Sequence, residues 1–247
     1  MAEIMSGKGI TKKIGNKVIL SEVDLAIEEG EVVALLGPSG SGKSTLLRCL
    51  NGLEAIASGE LFFDGNKIER SEKNLQQLRQ EIGMVFQSYD LFPNKTVLEN
   101  LLLGPVKVQK REPKEVEREA LDWLARVGLK ERAQDYPRQL SGGQKQRVAI
   151  IRSLCMKPRL MLFDEVTASL DPEMVREVLE VILELAKTDK TLLIVTHEMS
   201  FAQQVSDRVL FMAEGKIIEN SATPAFFSGP QTKRARDFLQ SLDYTNL

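Results

Sequence analysis

The chain has 247 residues, 43% hydrophobic and 28% charged, enough to bury the core of a single α/β domain or of two closely joined subdomains. Its 33 basic residues nearly cancel its 35 acidic ones, and a formal charge of -2 offers no long-range attraction to nucleic acid or to an anionic bilayer. The opening segment Met1 to Ser6 lacks a basic stretch followed by an apolar one, and no apolar run approaches the ~20 residues of a spanning helix, so neither secretion nor membrane crossing is expected.

Val32 to Leu36 is the first of three runs rich in Val, Ile and Leu that read as buried parallel strands. It leads into Gly37-Pro38-Ser39-Gly40-Ser41-Gly42-Lys43-Ser44-Thr45, followed by the helix-like Leu46-Leu47-Arg48-Cys49-Leu50. A phosphate chain packed against protein needs close backbone approach. Glycines remove Cβ atoms, while successive N–H groups and the helix N-terminus meet the negative charge. Lys43 is expected to reach the β and γ phosphates and the Ser44 hydroxyl to hold Mg²⁺. Such a loop equally fits a kinase, a GTPase or a helicase.

Phe62-Phe63-Asp64-Gly65 places turn residues between strand-like pieces, as Glu214-Gly215 does near the other end, so antiparallel edge strands are expected on a parallel core. Gly83-Met84-Val85-Phe86 reads as a strand ending at Gln87. Between about Tyr89 and Cys155 strand signals vanish. Val116, Ala120, Leu124 and Val127 repeat at helical spacing around Trp123, and the charge-rich Lys110 to Glu119 reads as a solvated helix face. Within this stretch Leu140-Ser141-Gly142-Gly143-Gln144 is a second glycine-rich helix start, whose Ser141 and glycine amides are expected to open toward an anion. Arg159 to Glu165 reads as a second buried strand, Leu160 to Phe163, delivering Asp164 and Glu165 at the end where open α/β sheets bind ligands. A helix begins with Pro172 and carries Val175, Val178, Leu179, Ile182 and Leu185. The third strand, Thr191 to Val195, ends beside His197, the one histidine of the chain. Alternating strands and helices imply a mostly parallel sheet covered on both faces. Cys49 and Cys155 are far apart without a CxxC pair and read as small buried residues.

From about Val18 to Glu219 these motifs, in this order, resemble the ABC ATPase family. Leu140 to Gln144 decides it, since kinases and GTPases have no use for a second glycine-rich helix start far from the phosphate loop. The resemblance implies one P-loop NTPase domain over 1–247, with an α/β core in 1–88 and 156–247 and a helical subdomain in 89–155 carrying the signature. It implies that Asp164 holds Mg²⁺, that Glu165 is the general base toward the attacking water, and that His197 contacts the γ phosphate and steadies that water. It assigns Gln87 to Mg²⁺ and water and to coupling with a transmembrane partner. Ser141, Gly142, Gly143 and Gln144 belong, in the family, against ATP held by a second copy, so an obligate working dimer is implied. Membrane permease subunits and, through them, an extracytoplasmic substrate-binding protein are the further implied partners. The place implied is the cytoplasmic face of a bacterial cell membrane.

Two departures stand out. Ile14, before Gly15, occupies the place of an aromatic residue that stacks on adenine in most of the family, and Ile14 packs without stacking. Val166-Thr167-Ala168-Ser169-Leu170-Asp171 differs from Pro-Thr-Ser-Ala-Leu-Asp, so Ala168 lacks the hydroxyl that bridges to the opposing phosphate loop. Tyr89 to Pro93, Leu98 to Pro105 and Tyr136-Pro137 look like the polar amino acid importers of bacteria, with glutamine, arginine, histidine and cystine all open as solutes. The chain ends soon after Phe238, so a C-terminal ligand-sensing domain is not expected. An ABC ATPase driving lipoprotein extraction or envelope remodelling is the alternative function, and a nucleotide-gated binding module without fast turnover a third.

Overall fold

In the computed structural model, which describes residues 2–242, two long strands come first, β1 (Glu3–Ile14) and β2 (Lys17–Glu28). β3 (Val32–Leu36) then leads through the phosphate loop into α1 (Lys43–Leu50), followed by β4 (Ser58–Phe63), β5 (Asn66–Lys67), α2 (Glu72–Glu81) and β6 (Ile82–Val85). A helical stretch follows, with α3 (Val97–Lys107), α4 (Pro113–Arg126) and α5 (Gly142–Cys155). β7 (Leu160–Asp164), α6 (Pro172–Ala186), β8 (Thr191–Val195) and α7 (Met199–Val205) return to the sheet. β9 (Arg208–Ala213), β10 (Lys216–Ala222), α8 (Thr223–Ser228) and α9 (Lys233–Leu242) complete the fold.

The main sheet has the order β10-β9-β3-β8-β7-β6 and is parallel except for β10, which pairs antiparallel with β9 at one edge. A separate antiparallel sheet has the order β2-β1-β4-β5. The turn at Glu214-Gly215 therefore makes the expected edge, whereas Asp64-Gly65 lies in the second sheet. There β4 pairs with β1, a strand the sequence pattern had not marked. β1 hides its alternation because its pairing shifts register between Gly7 and Ile10 and again between Ile10 and Lys12, breaking the two-residue period.

Every residue of β3, β7 and β8 is buried, as a parallel sheet covered on both faces requires. Alternation sorts them. Val32, Met161, Phe163, Leu192 and Ile194 pack with α5 and α6, while Val33, Leu35, Leu160, Leu162, Leu193 and Val195 pack with α1 and the antiparallel sheet. Pro172 stands at the start of α6, where its missing N–H is harmless, and Val178, Val181, Ile182 and Leu185 form the buried stripe. Val116, Ala120 and Leu124 are buried on α4 as the spacing predicts. The charges before them do more than face solvent. Arg111 donates to the Cys155 carbonyl at 3.0 Å and to Glu119 at 2.6 Å, and Lys157 donates to Glu119 at 2.7 Å, so this cluster closes the C-terminal end of α5. Burial pushes the thiols of Cys49 and Cys155 up to about 11 and about 12, leaving both as packing residues. Among the described residues no helix is long and apolar enough to cross a membrane.

Asn100, fully buried on α3, organises the loop before it by accepting from the Phe92 N–H at 2.8 Å and donating to the carbonyls of Phe92, Lys95 and Thr96 at 2.8–3.2 Å. Asn100→Leu is expected to cost about 1–3 kcal/mol, because the Phe92 N–H loses its acceptor and the Lys95 carbonyl its side-chain donor, while the Phe92 and Thr96 carbonyls keep backbone donors from Lys95 and Asn100. Chemical denaturation should show it as a lower midpoint with an unchanged slope, and a midpoint within error of the parent would refute it.

Candidate functional site

The loop between β3 and α1 is shaped first by the protein itself. A Cβ on Gly37 would run into the Met212 carbonyl oxygen on β9, so this glycine is demanded by packing against a neighbouring strand. Gly40 has φ of 77°, a left-handed backbone that glycine adopts without strain. The Lys43 ammonium is buried and donates back to the Gly37 and Pro38 carbonyls at 2.9 and 3.1 Å. Burial pulls its pKa below the ordinary lysine value, and the carboxylates of Glu165 and Asp164 pull it part of the way back.

Ser44 donates to Asp164 Oδ1 at 2.7 Å, joining the first turn of α1 to the end of β7. Burial raises the Asp164 pKa, opposed by the Ser44 hydrogen bond and by Arg48, whose guanidinium lies 3.9 Å from Oδ2. Glu165 has φ of 47°, a left-handed backbone that a non-glycine residue rarely adopts. It is held there by its N–H on the Val195 carbonyl at 3.1 Å and by its own carbonyl accepting from Ala168 at 3.1 Å. This turns the side chain across the top of the sheet, where Oε1 lies 3.0 Å from His197 Nε2 and 3.8 Å from Lys43 Nζ. His197 is exposed, not packed into the core. Gln87, just past β6, lines a cleft of about 350 Å³ with Ser44, Arg48, Phe86, Asp164 and Ser169. Lys43, Ser44, Gln87, Asp164, Glu165 and His197, distant in sequence, thus meet at one end of the parallel sheet.

Ser141 caps α5, accepting from Gln144 N at 3.3 Å while the Gln144 carboxamide accepts from Ser141 N at 3.0 Å. In the free chain this helix start is partly occupied by the protein's own side chains. The Gly143 N–H donates to the Met174 thioether at 3.3 Å, and a Cβ on Gly142 would come within 2.9 Å of the Tyr89 hydroxyl and 3.1 Å of Leu170. Side chains from the flanking segments cover this helix start because only glycine leaves them room. Among the described residues no hydrogen bond or ion pair links 141–144 to the phosphate loop at 37–45.

Ile14 ends β1 and is 57% exposed. Val18 on β2 pairs with Lys13 whereas Ile14 pairs with Lys17, so Val18, 48% exposed, lies on the hairpin face opposite to Ile14. Sequence reasoning named Ser169 only as the neighbour of Ala168, whereas the structure sets Ser169 on the Gln87 cleft. Met174 gave no sequence signal at all.

The family model described as ABC transporter matches residues 20–168, which takes in the phosphate loop, Gln87, the signature and Asp164-Glu165. A second, described as AAA domain, putative AbiEii toxin, Type IV TA system, matches 136–202. The glutamine transport ATP-binding protein GlnQ of Bacillus subtilis (strain 168) is 50% identical, over 95% of this chain and 97% of its own length. The arginine transport ATP-binding protein ArtM of the same organism is 52% identical, over 94% and 97% respectively. Among solved structures, the dimeric ATP-binding cassette MJ0796, in a post-hydrolysis state bound to ADP and Pi, is 32% identical with a TM-score of 0.76, covering 89% of this chain and 98% of that one. With the motif order, the clustered residues and these likenesses in agreement, the chain belongs to the ABC transporter family, among its ATP-binding proteins.

Proposed function

We propose that this chain binds and hydrolyses ATP to energise import of a polar amino acid through a membrane ABC transporter. The observation that carries the reading is the cluster in which Ser44 meets Asp164 at 2.7 Å and Glu165 meets His197 at 3.0 Å beside the buried Lys43. Lys43 would exchange the Gly37 and Pro38 carbonyls for β and γ phosphate oxygens, and the loop amides and α1 N-terminus would hold the rest of the phosphate chain. A hydroxyl, a carboxylate and a carboxamide suit a hard cation, so Ser44, Asp164 and Gln87 fit Mg²⁺ bound partly through phosphates. When bound, Mg²⁺ would neutralise charge on the β and γ phosphates. Glu165 would take a proton from the attacking water, and His197 would orient Glu165 and contact the γ phosphate.

The signature makes no bond to its own phosphate loop, which suits a second copy that presents Ser141 to the ATP of the first. On this reading residues 1–88 and 156–247 form the ATP-handling core and 89–155 the helical subdomain of one domain. For the membrane partner, an apolar groove of about 420 Å³ runs between α3 and β6. Leu53, Phe92 and Val108, large hydrophobics exposed on the described surface, all line it, and a cytoplasmic helix of the permease fits that chemistry. The chain would then sit on the cytoplasmic face of a bacterial membrane, with a substrate-binding protein on the far side. Relatives of nearly equal identity carry glutamine and arginine in their names, so identity alone does not select the solute. Isolating the complex with its permease and asking which amino acid, with its binding protein, stimulates ATP hydrolysis tests the proposal; no response to any polar amino acid would remove the import reading.

Ile14 is proposed as the adenine platform. Ile14→Tyr is expected to tighten ATP binding by up to ~1–3 kcal/mol through stacking. Maximal turnover should barely change, since uniform binding lowers the Michaelis constant alone. Equal affinities on ATP titration would mean that the base does not rest there.

A further inference from the structure

We propose that Met174 is a positioning residue for the signature: its thioether occupies the Gly143 N–H in the free chain and must be displaced before that N–H can meet a phosphate oxygen of ATP held by a second copy. The inference rests on the ATP-sandwich reading above.

The first amides of a helix have no partner within it and project from its N-terminus, and it is these that recognise an anion. In α5 they belong to Gly142, Gly143 and Gln144. Gln144 N–H is answered by Ser141 Oγ at 3.3 Å, and Gly143 N–H by Met174 Sδ at 3.3 Å, so the free chain has already closed much of this end. The closure depends on glycine, for a Cβ on residue 143 would lie 2.9 Å from Met174 Cβ. A thioether is a weak acceptor on a flexible stem, suited to hold an N–H that a charged phosphate oxygen later takes. Met174 stands in the first turn of α6, in the segment that leaves Glu165 and sets Leu170 over Gly142. Release of the signature is therefore tied to movement of the stretch that begins at Glu165.

The test uses the full chain carrying Glu165→Gln, with ATP-dependent dimer formation followed by sedimentation. Met174→Leu removes the acceptor and keeps apolar bulk. Met174→Gln keeps the length and supplies a stronger carbonyl acceptor. Met174 is only half-buried, so both should fold, and melting temperatures without ATP check this. The ATP concentration for half-maximal dimer is expected to rank leucine lowest, methionine next and glutamine highest, with steps of about 3- to 10-fold. A purely structural contact would move both variants the same way, and that result, or three equal titrations, overturns the proposal. If the Glu165→Gln parent never dimerises with ATP, the sandwich reading falls and the role of Met174 with it; a dimerising parent with unranked variants removes Met174 alone.

Discussion

Glu165→Gln is expected to lower ATP turnover about 10²–10⁴-fold, a barrier increase of ~3–5 kcal/mol, while ATP binding and ATP-dependent dimer formation persist. The substitution preserves shape. A carboxamide oxygen can still accept from His197 Nε2, which stands 3.0 Å from Glu165 Oε1, and the backbone bonds to Val195 and Ala168 do not involve the side chain. What disappears is the capacity to take a proton from water. Lys43, Ser44 and Asp164 are untouched, so the phosphate chain keeps its contacts and the dimer should accumulate in the bound state. Steady-state hydrolysis with ATP-dependent sedimentation checks both halves, and near-normal turnover in the purified variant would remove Glu165 from the base role.

His197→Ala is expected to reduce turnover by about 10²–10³-fold with little change in the melting temperature of the free chain. The geometry supports the asymmetry. His197 is exposed just past β8 and its one side-chain hydrogen bond among the described residues goes to Glu165, so its loss opens no cavity. If its task is to orient Glu165 and contact the γ phosphate, its removal after Glu165→Gln should add far less than in the parent, because residues acting as a unit are not additive. Two outcomes contradict this reading: a large fall in melting temperature without ATP, or full additivity in the double variant.

Local chemistry was legible in advance. The runs 32–36 and 191–195 became strands with those bounds, and Pro172 opened its helix, because burial on both faces and proline geometry act over a few residues. The elements missed or misassigned depend on distant partners. β1 and β2 are irregularly paired strands whose apolar faces gain meaning only against α1. The Asp64-Gly65 hairpin joined β1 because β1 offers it an edge, a fact absent from its own turn residues.

The sequence alone determined the phosphate loop, the two carboxylates at a strand end and the second glycine-rich helix start, because each is a short pattern in which residue type and spacing already specify the chemistry. Tertiary structure decided which of these residues meet. Glu165 reaches His197 because β7 and β8 are parallel neighbours whose register sets Asp164 beside Val195, and Ser44 reaches Asp164 because α1, which follows β3, packs across the intervening β8 onto β7. The covering of the signature glycines by Tyr89, Leu170 and Met174 is likewise a product of packing between α5, α6 and the segment after β6. Strand order and helix packing are fixed by pairings between residues far apart in the chain, and no local pattern encodes them.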